Sequence, residues 1–228
     1  MLGSPHLLPP LVAAGFEWIC LDQQHGRFDD SSTIQGIAEL RGSPATVVVR
    51  VRSLDAGLIG RALDSGSDGV IVPMVSTAEQ AAAAVRATYY PPLGERSWGP
   101  IAADYGTSTA EVNRDILCAV MVETPDALAH IDEIAATPGL SMIFVGPFDL
   151  SIALGRDVDG LLADFTDDSP LQVVVASCRA AGITAGAFAG TPERAQLLLK
   201  HGFTFVAAAT DGLIVTRGGQ SQLKLAGF

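Results

Sequence analysis

The chain has 228 residues, 48% hydrophobic and 17% charged, with a mean hydropathy of +0.34, so it carries enough apolar material for one large core and is not disordered. A formal charge of −11, from 14 Lys and Arg against 25 Asp and Glu scattered without a basic block, speaks against nucleic acid as a partner. No apolar run approaches the roughly 20 residues of a membrane span, no basic segment opens the N-terminus, and Cys20, Cys118 and Cys178 lie far apart with no C-x-x-C pair, so a protein of the reduced cytoplasm is expected.

In chain order, a unit recurs: a helix-like apolar pattern, a glycine, four to seven consecutive apolar residues, then a polar or Gly/Pro-containing turn. Runs of this kind belong to parallel strands buried on both faces. The first, 18–21, leads into Asp22 and His25; His25 is the general-base candidate because imidazole titrates near neutral pH, with Asp22 as the group that orients it. The second, 46–49, ends on Arg50, a guanidinium suited to a carboxylate or a developing oxyanion; Arg52, two positions on, is its rival. The third, 70–75, precedes Thr77 and Gln80, spaced as a capping box for an Ala-rich helix.

The fourth run, 117–122, ends on Glu123 and is followed by Thr124-Pro125, a cap with proline at the first helical position. The fifth, 142–145, leads through Gly146, Pro147 and Phe148 to Asp149, where backbone N–H groups of Phe148 and Asp149 can face an anion at a helix start. Glu123 and Asp149 would then project from neighbouring strands into one mouth, an oxygen-rich pair suited to Mg²⁺ or Mn²⁺; their plain alternative is to cap the helices that follow. The runs 184–188 and 203–209 flank a helix that starts at Thr191-Pro192 and stops at Gly202. His6, His130 and His201 read as surface histidines.

Strand and helix alternate without a linker, so residues 1–228 are read as one α/β domain, either an eight-fold (β/α) barrel of the TIM type or an open doubly wound sheet. No G-x-G-x-x-G or Walker A pattern is present, which sets the dinucleotide-binding sheet aside, and the gathering of polar residues at strand ends favours the barrel. Lys200 and Lys224 are the only lysines and neither follows a strand, so if this barrel handles keto acids it is expected to do so by metal-assisted enolisation and not through a Schiff base.

Taken together, the stretches AGFEWICLDQQHG (14–26), VVVR (47–50), VPMV (72–75), YPPLGER (90–96), VET (122–124) and VGPFDLS (145–151) resemble the HpcH/HpaI aldolase family, the metal-dependent class II pyruvate aldolases that include 4-hydroxy-2-oxo-heptanedioate and 2-dehydro-3-deoxyglucarate aldolases. The resemblance implies a phosphoenolpyruvate/pyruvate-domain-like barrel cleaving or forming 4-hydroxy-2-oxo acids from pyruvate and an aldehyde. It implies that Glu123 and Asp149 hold a divalent ion (Mg²⁺, Mn²⁺ or Co²⁺), that Arg50 meets the keto oxygen, and that Gly146, Pro147, Phe148 and Asp149 take the carboxylate. His25, oriented by Asp22, would move the hydroxyl proton through a water. A homo-oligomer, a hexamer in the family, is also implied.

Three departures accompany the resemblance. Gln24 stands where the family commonly has Glu, Met121 where it commonly has Gln, and only Met1 and Leu2 precede the segment that follows the family's first strand; a barrel with strand one missing or truncated is therefore expected. The alternatives kept open are a CoA-thioester lyase of the malyl or citramalyl-CoA type and a degenerate, non-catalytic barrel.

Overall fold

The structure, a computed structural model, describes residues 2–101 and 108–228. All seven runs form strands: β1 (Trp18–Asp22), β2 (Thr46–Arg50), β3 (Gly69–Val72), β4 (Leu117–Val122), β5 (Met142–Val145), β6 (Thr184–Phe188) and β7 (Phe205–Ala207). They make one parallel sheet in chain order, with helices between successive strands as parallel connections require. Both faces of the sheet are covered, which is why the runs are apolar throughout. Val47 and Val49 of β2 point outward into the core shared with the helices, while Val48, Ile71, Ala119, Met121, Met142 and Phe144 form a second, inner core.

The sheet curls around that inner core. Trp18 of β1 stacks on Phe205 of β7 with ring centroids 3.9 Å apart and 26° between planes, so the first and last strands meet through their inward side chains. Among the described residues no backbone ladder joins them. The fold is thus a curled α/β half-barrel of seven strands.

The helix signals act largely as read. Thr124 and Thr191 cap their helices, with proline following each, and Gly202 ends helix Pro192–His201 at φ +106°, a left-handed cap. Thr77 caps helix Ala78–Thr88 by accepting from the Gln80 N–H, but Gln80 Oε1 takes the Ser76 N–H at 2.7 Å instead of closing a box on Thr77. β3 is shorter than its apolar run: it stops before Pro73, which has no N–H to donate, and Met74 turns to φ +57°. β7 likewise covers only the middle of its run. In the 90–96 motif, Arg96 reaches Asp64 at 2.7 Å and lies over the Tyr90 ring at 4.5 Å, tying this loop to helix Ala56–Asp64.

His201 is a correction: it is buried, not a surface residue. Its Nε2 lies 2.9 Å from the Leu162 carbonyl, its Nδ1 lies 3.0 Å from Gln172 Nε2, and its ring stacks on Phe165 at 4.0 Å. The imidazole therefore pins helices Val158–Leu162, Pro170–Ala181 and Pro192–His201 together. His201→Ala leaves a buried carbonyl without its donor and opens a void, and is expected to cost about 2–4 kcal/mol, seen as a lower urea midpoint with an unchanged slope.

Candidate functional site

The polar residues at the strand ends meet at one edge of the half-barrel. Asp22 and Arg50 are direct partners in the β1–β2 register, which brings their inward side chains together. Arg50 donates from Nε to Asp22 Oδ1 and from Nη2 to Oδ2, both at 2.7 Å, a bidentate pair. Asp22 is almost wholly enclosed and Arg50 mostly so. Burial works against the Asp22 charge, but Arg50 outweighs it and holds the carboxyl below its ordinary range; burial likewise opposes the Arg50 charge, and Asp22 holds it firmly protonated. Arg52, by contrast, is exposed and reaches out to Asp30 at 3.1 Å, so Arg50 is the arginine of the mouth.

Asp22 also organises the turn after β1. Its Oδ1 accepts the backbone N–H of Gln24 at 3.0 Å and of His25 at 3.3 Å. It thus holds the backbone of His25, while its side-chain partner is Arg50. The His25 side chain is exposed and lines the same cavity as Asp22 and Arg50. Cys20, one inward position below Asp22, has its thiol pushed up to about 12 by burial and by the Asp22 charge, which removes it as a nucleophile at neutral pH.

Glu123, at the end of β4, is buried, and its Oε1 accepts the Met74 N–H at 3.1 Å. Met74 contributes through its backbone alone. Its left-handed conformation, which costs a non-glycine residue about 1 kcal/mol or more, turns that N–H to the carboxylate. Burial pushes the Glu123 carboxyl up, against the Met74 N–H that pulls it down, and the neighbouring Asp149 raises it further through charge and a side-chain contact. Asp149 lies in the first turn of helix Pro147–Ala153, exposed at the mouth. Neither acid forms an ion pair with a Lys or Arg among the described residues, and no third His, Cys, Asp or Glu joins them in a cluster. Arg50 acts on Glu123 only through its charge from a distance, and two adjacent carboxylates with no direct basic contact suit a hard divalent cation that keeps water or substrate in its remaining positions.

Gly146 explains itself here. A Cβ at this position would stand 2.9 Å from Glu123 Oε2 and 3.2 Å from its Cγ, and the carboxylate cannot retreat without giving up Met74. Gly146→Ala is expected to cost about 1–3 kcal/mol by overpacking, measured by chemical denaturation.

One cavity of about 330 Å³ collects these groups: Asp22, His25, Arg50, Met121, Phe148 and Asp149 all line it, with Gly146. Pro147 and Glu123 are buried and do not line the cavity. Met121 lies 3.9 Å from Arg50 Nη1 through its sulfur. Phe148 is held between Phe188, 6.1 Å away, and the Arg194 guanidinium, 4.9 Å from its ring centre. A polar mouth with an arginine, a carboxylate pair and an imidazole can bind a small acid and move a proton beside it.

The family model for HpcH/HpaI aldolase/citrate lyase matches residues 2–217. The chain is similar to a 2-dehydro-3,6-dideoxy-6-sulfogluconate aldolase of Pseudomonas putida, 35% identical over 92% of this chain and 84% of that one. It is similar to a hydroxypyruvate/pyruvate aldolase of Paraburkholderia phytofirmans, 34% identical over 98% and 89%. Among solved structures, a HpcH/HpaI aldolase/citrate lyase family protein from Burkholderia cenocepacia superposes with a TM-score of 0.87 at 28% identity, covering 100% of this chain and 92% of the other.

Proposed function

Since the chain belongs to the HpcH/HpaI aldolase/citrate lyase family and is an aldolase, a carbon–carbon lyase, we propose that it cleaves or forms 4-hydroxy-2-oxo acids, with pyruvate or a close analogue as the keto acid and an aldehyde as the second partner. The observation that carries this reading is the pairing of Glu123 with Asp149, with no direct ion pair to either among the described residues, beside the cavity that holds Arg50. Glu123 and Asp149 would hold Mg²⁺, Mn²⁺ or Co²⁺. A divalent ion there supplies Lewis-acid stabilisation of the charge that develops on the keto-acid oxygen as the carbon–carbon bond breaks or forms.

The remaining work falls to the protein. Arg50 has Nε and Nη2 committed to Asp22, which fixes the guanidinium plane and leaves Nη1, which otherwise meets only the weak acceptor sulfur of Met121, to bind the keto oxygen. His25, on a turn whose backbone Asp22 secures, takes the hydroxyl proton in cleavage and returns it in condensation. Residues 146–149, with Gly146, Pro147, Phe148 and Asp149, form the seat of the carboxylate. The CoA-thioester and non-catalytic alternatives are not favoured, because the relatives named above are aldolases.

The same reading takes residues 1–228 as a single barrel domain of the (β/α)₈ kind in which the place between β7 and β1 is that of a further strand. It also takes the protein as a cytoplasmic homo-oligomer. No described helix is long and apolar enough to cross a membrane.

The test is proton NMR of pyruvate in D₂O with metal-stripped protein, before and after adding Mg²⁺, Mn²⁺ or Co²⁺. Loss of the methyl signal only after metal addition is the expected result; no exchange with any of the three, in folded protein, would sink the proposal.

A further inference from the structure

We propose that Arg194, locked by Asp159, is a positioning residue of the catalytic mouth: through the Phe148 ring it fixes the turn that aims Asp149 at the metal position. The inference rests on the aldolase reading above, in which Asp149 and Glu123 hold the divalent ion, and adds Arg194 and Asp159 to the machinery of that site from outside the cavity. Of the two acids, Glu123 is tethered by the Met74 N–H at 3.1 Å. Asp149 is exposed and meets Glu123, so the direction of its carboxylate follows the backbone of the turn that carries it. That turn opens helix Pro147–Ala153, which is only seven residues long and has no side-chain cap, its N-cap being Gly146. A helix of this length does not hold its shape by its own hydrogen bonds, and its neighbours must supply the grip.

Phe148, directly before Asp149, is where they take hold. Its carbonyl accepts the Ser151 hydroxyl at 2.8 Å. Its ring faces Phe188 at 6.1 Å, and the Gly190 backbone closes in beside both rings, since a Cβ there would stand 3.4 Å from Phe188 Cε1 and 3.6 Å from Phe148 Cε2. The Arg194 guanidinium covers the Phe148 ring at 4.9 Å, a cation–π contact. Arg194 is itself held: its Nε donates to Asp159 Oδ1 at 2.8 Å and its Nη2 to Oδ2 at 3.2 Å, and two bonds to one carboxylate fix the guanidinium plane. The partners come from helices Val158–Leu162 and Pro192–His201. The Asp159 side chain is 70% exposed, so as a surface bridge the pair adds little to folding. What it holds in place is the ring, and with the ring the acid that follows it in the chain.

The experiment titrates Mn²⁺ into metal-stripped protein, follows the free ion by electron paramagnetic resonance, and compares Arg194→Gln with the wild type. An arginine acting through its charge would repel the ion, and its loss would tighten binding. An arginine acting through Phe148 gives the opposite sign: binding weakens by about tenfold, the lower end of what loss of an outer-shell partner costs a metal site, with the thermal midpoint close to that of the wild type. Arg194→Lys keeps the cation but not both bonds; it is expected to fall between the two, and replaces Arg194→Gln if that variant does not fold. Phe148→Leu is expected to weaken binding alike, and Arg194→Gln added to it to change nothing further, because the ring through which the arginine acts is gone. Mn²⁺ binding unchanged or tighter in Arg194→Gln, or losses that add in the double variant, overturns the proposal. Pyruvate methyl exchange on the same samples separates the two ideas: wild-type exchange with Mn²⁺ binding indifferent to Arg194 removes the positioning role and keeps the aldolase, whereas a wild type that neither binds Mn²⁺ nor exchanges removes both.

Discussion

Glu123→Gln is expected to abolish metal-dependent exchange of the pyruvate methyl protons, by about 10³-fold or more, while leaving the protein at least as stable as the wild type. The amide keeps an oxygen to accept the Met74 N–H, so the local backbone is preserved. It removes a charge that burial and Asp149 both disfavour, and relief of like-charge repulsion stabilises the folded state. Activity and stability thus move in opposite directions, the pattern of a group kept for binding and not for folding. The measurements are the D₂O exchange rate with saturating Mn²⁺ and the thermal midpoint of the metal-stripped protein. Exchange retained within tenfold would take Glu123 out of the metal site.

Arg50→Ala is expected to cost on both scales: about 3–5 kcal/mol of stability, because it strands a buried carboxylate, and about 10²–10³-fold in activity, because it removes the donor for the keto oxygen. The pH dependence gives it a signature. In the wild type Asp22 titrates below its ordinary value of about 3.9, so its contribution is complete above that pH and is lost as pH falls through the depressed folded value. Without Arg50, burial, the largest influence on Asp22, is opposed only by the Gln24 and His25 N–H groups, and the folded-state pKa is expected to rise above the unfolded value. The variant should then lose stability as pH rises from the unfolded value of Asp22 through its raised folded value and regain it on acidification, the reverse of the wild type. Urea midpoints from about pH 2 to about pH 7, a range that spans the ordinary aspartate value on both sides, test this; parallel curves would mean that Asp22 is not the partner left behind. Arg50→Lys keeps the charge but cannot make both bonds, and should restore part of the stability and little of the activity.

The strands were legible because both-face burial writes itself as uninterrupted apolar runs, and seven such runs became seven strands. The strand-end placement of Asp22, Arg50, Glu123 and Asp149 was legible for the same reason: each is the first charged residue after such a run or its turn. What lay outside the sequence were choices made laterally. The D-x-x-H spacing suggests Asp22 serving the His25 ring, but register puts Arg50 directly opposite, and a full charge with two bonds outcompetes an imidazole at the end of a turn. His201 looked like a surface residue because its helix position says nothing about helix Val158–Leu162, which comes from 39 residues earlier to cover it. Met74 carries no sequence mark of a left-handed backbone beyond the proline before it. The Trp18–Phe205 contact spans nearly the whole chain, a distance over which periodicity has no reach.

That contact and the strand order together bear on how the molecule is assembled. Every ladder in the sheet joins strands that are neighbours in the chain, so each new strand finds its template already made by the one before it, and the sheet can grow in the direction of synthesis without waiting for its far end. The meeting of Trp18 with Phe205, and the Leu2 N–H on Asp211, tie the beginning to the end. The catalytic mouth follows the same sequence: Asp22 and Arg50 come together with the first two strands, Glu123 and Asp149 with the fourth and fifth, and Ala207 of β7, which lines the same cavity, arrives last. A nascent chain would therefore own its charged groups before it owned the enclosure that shields them from water.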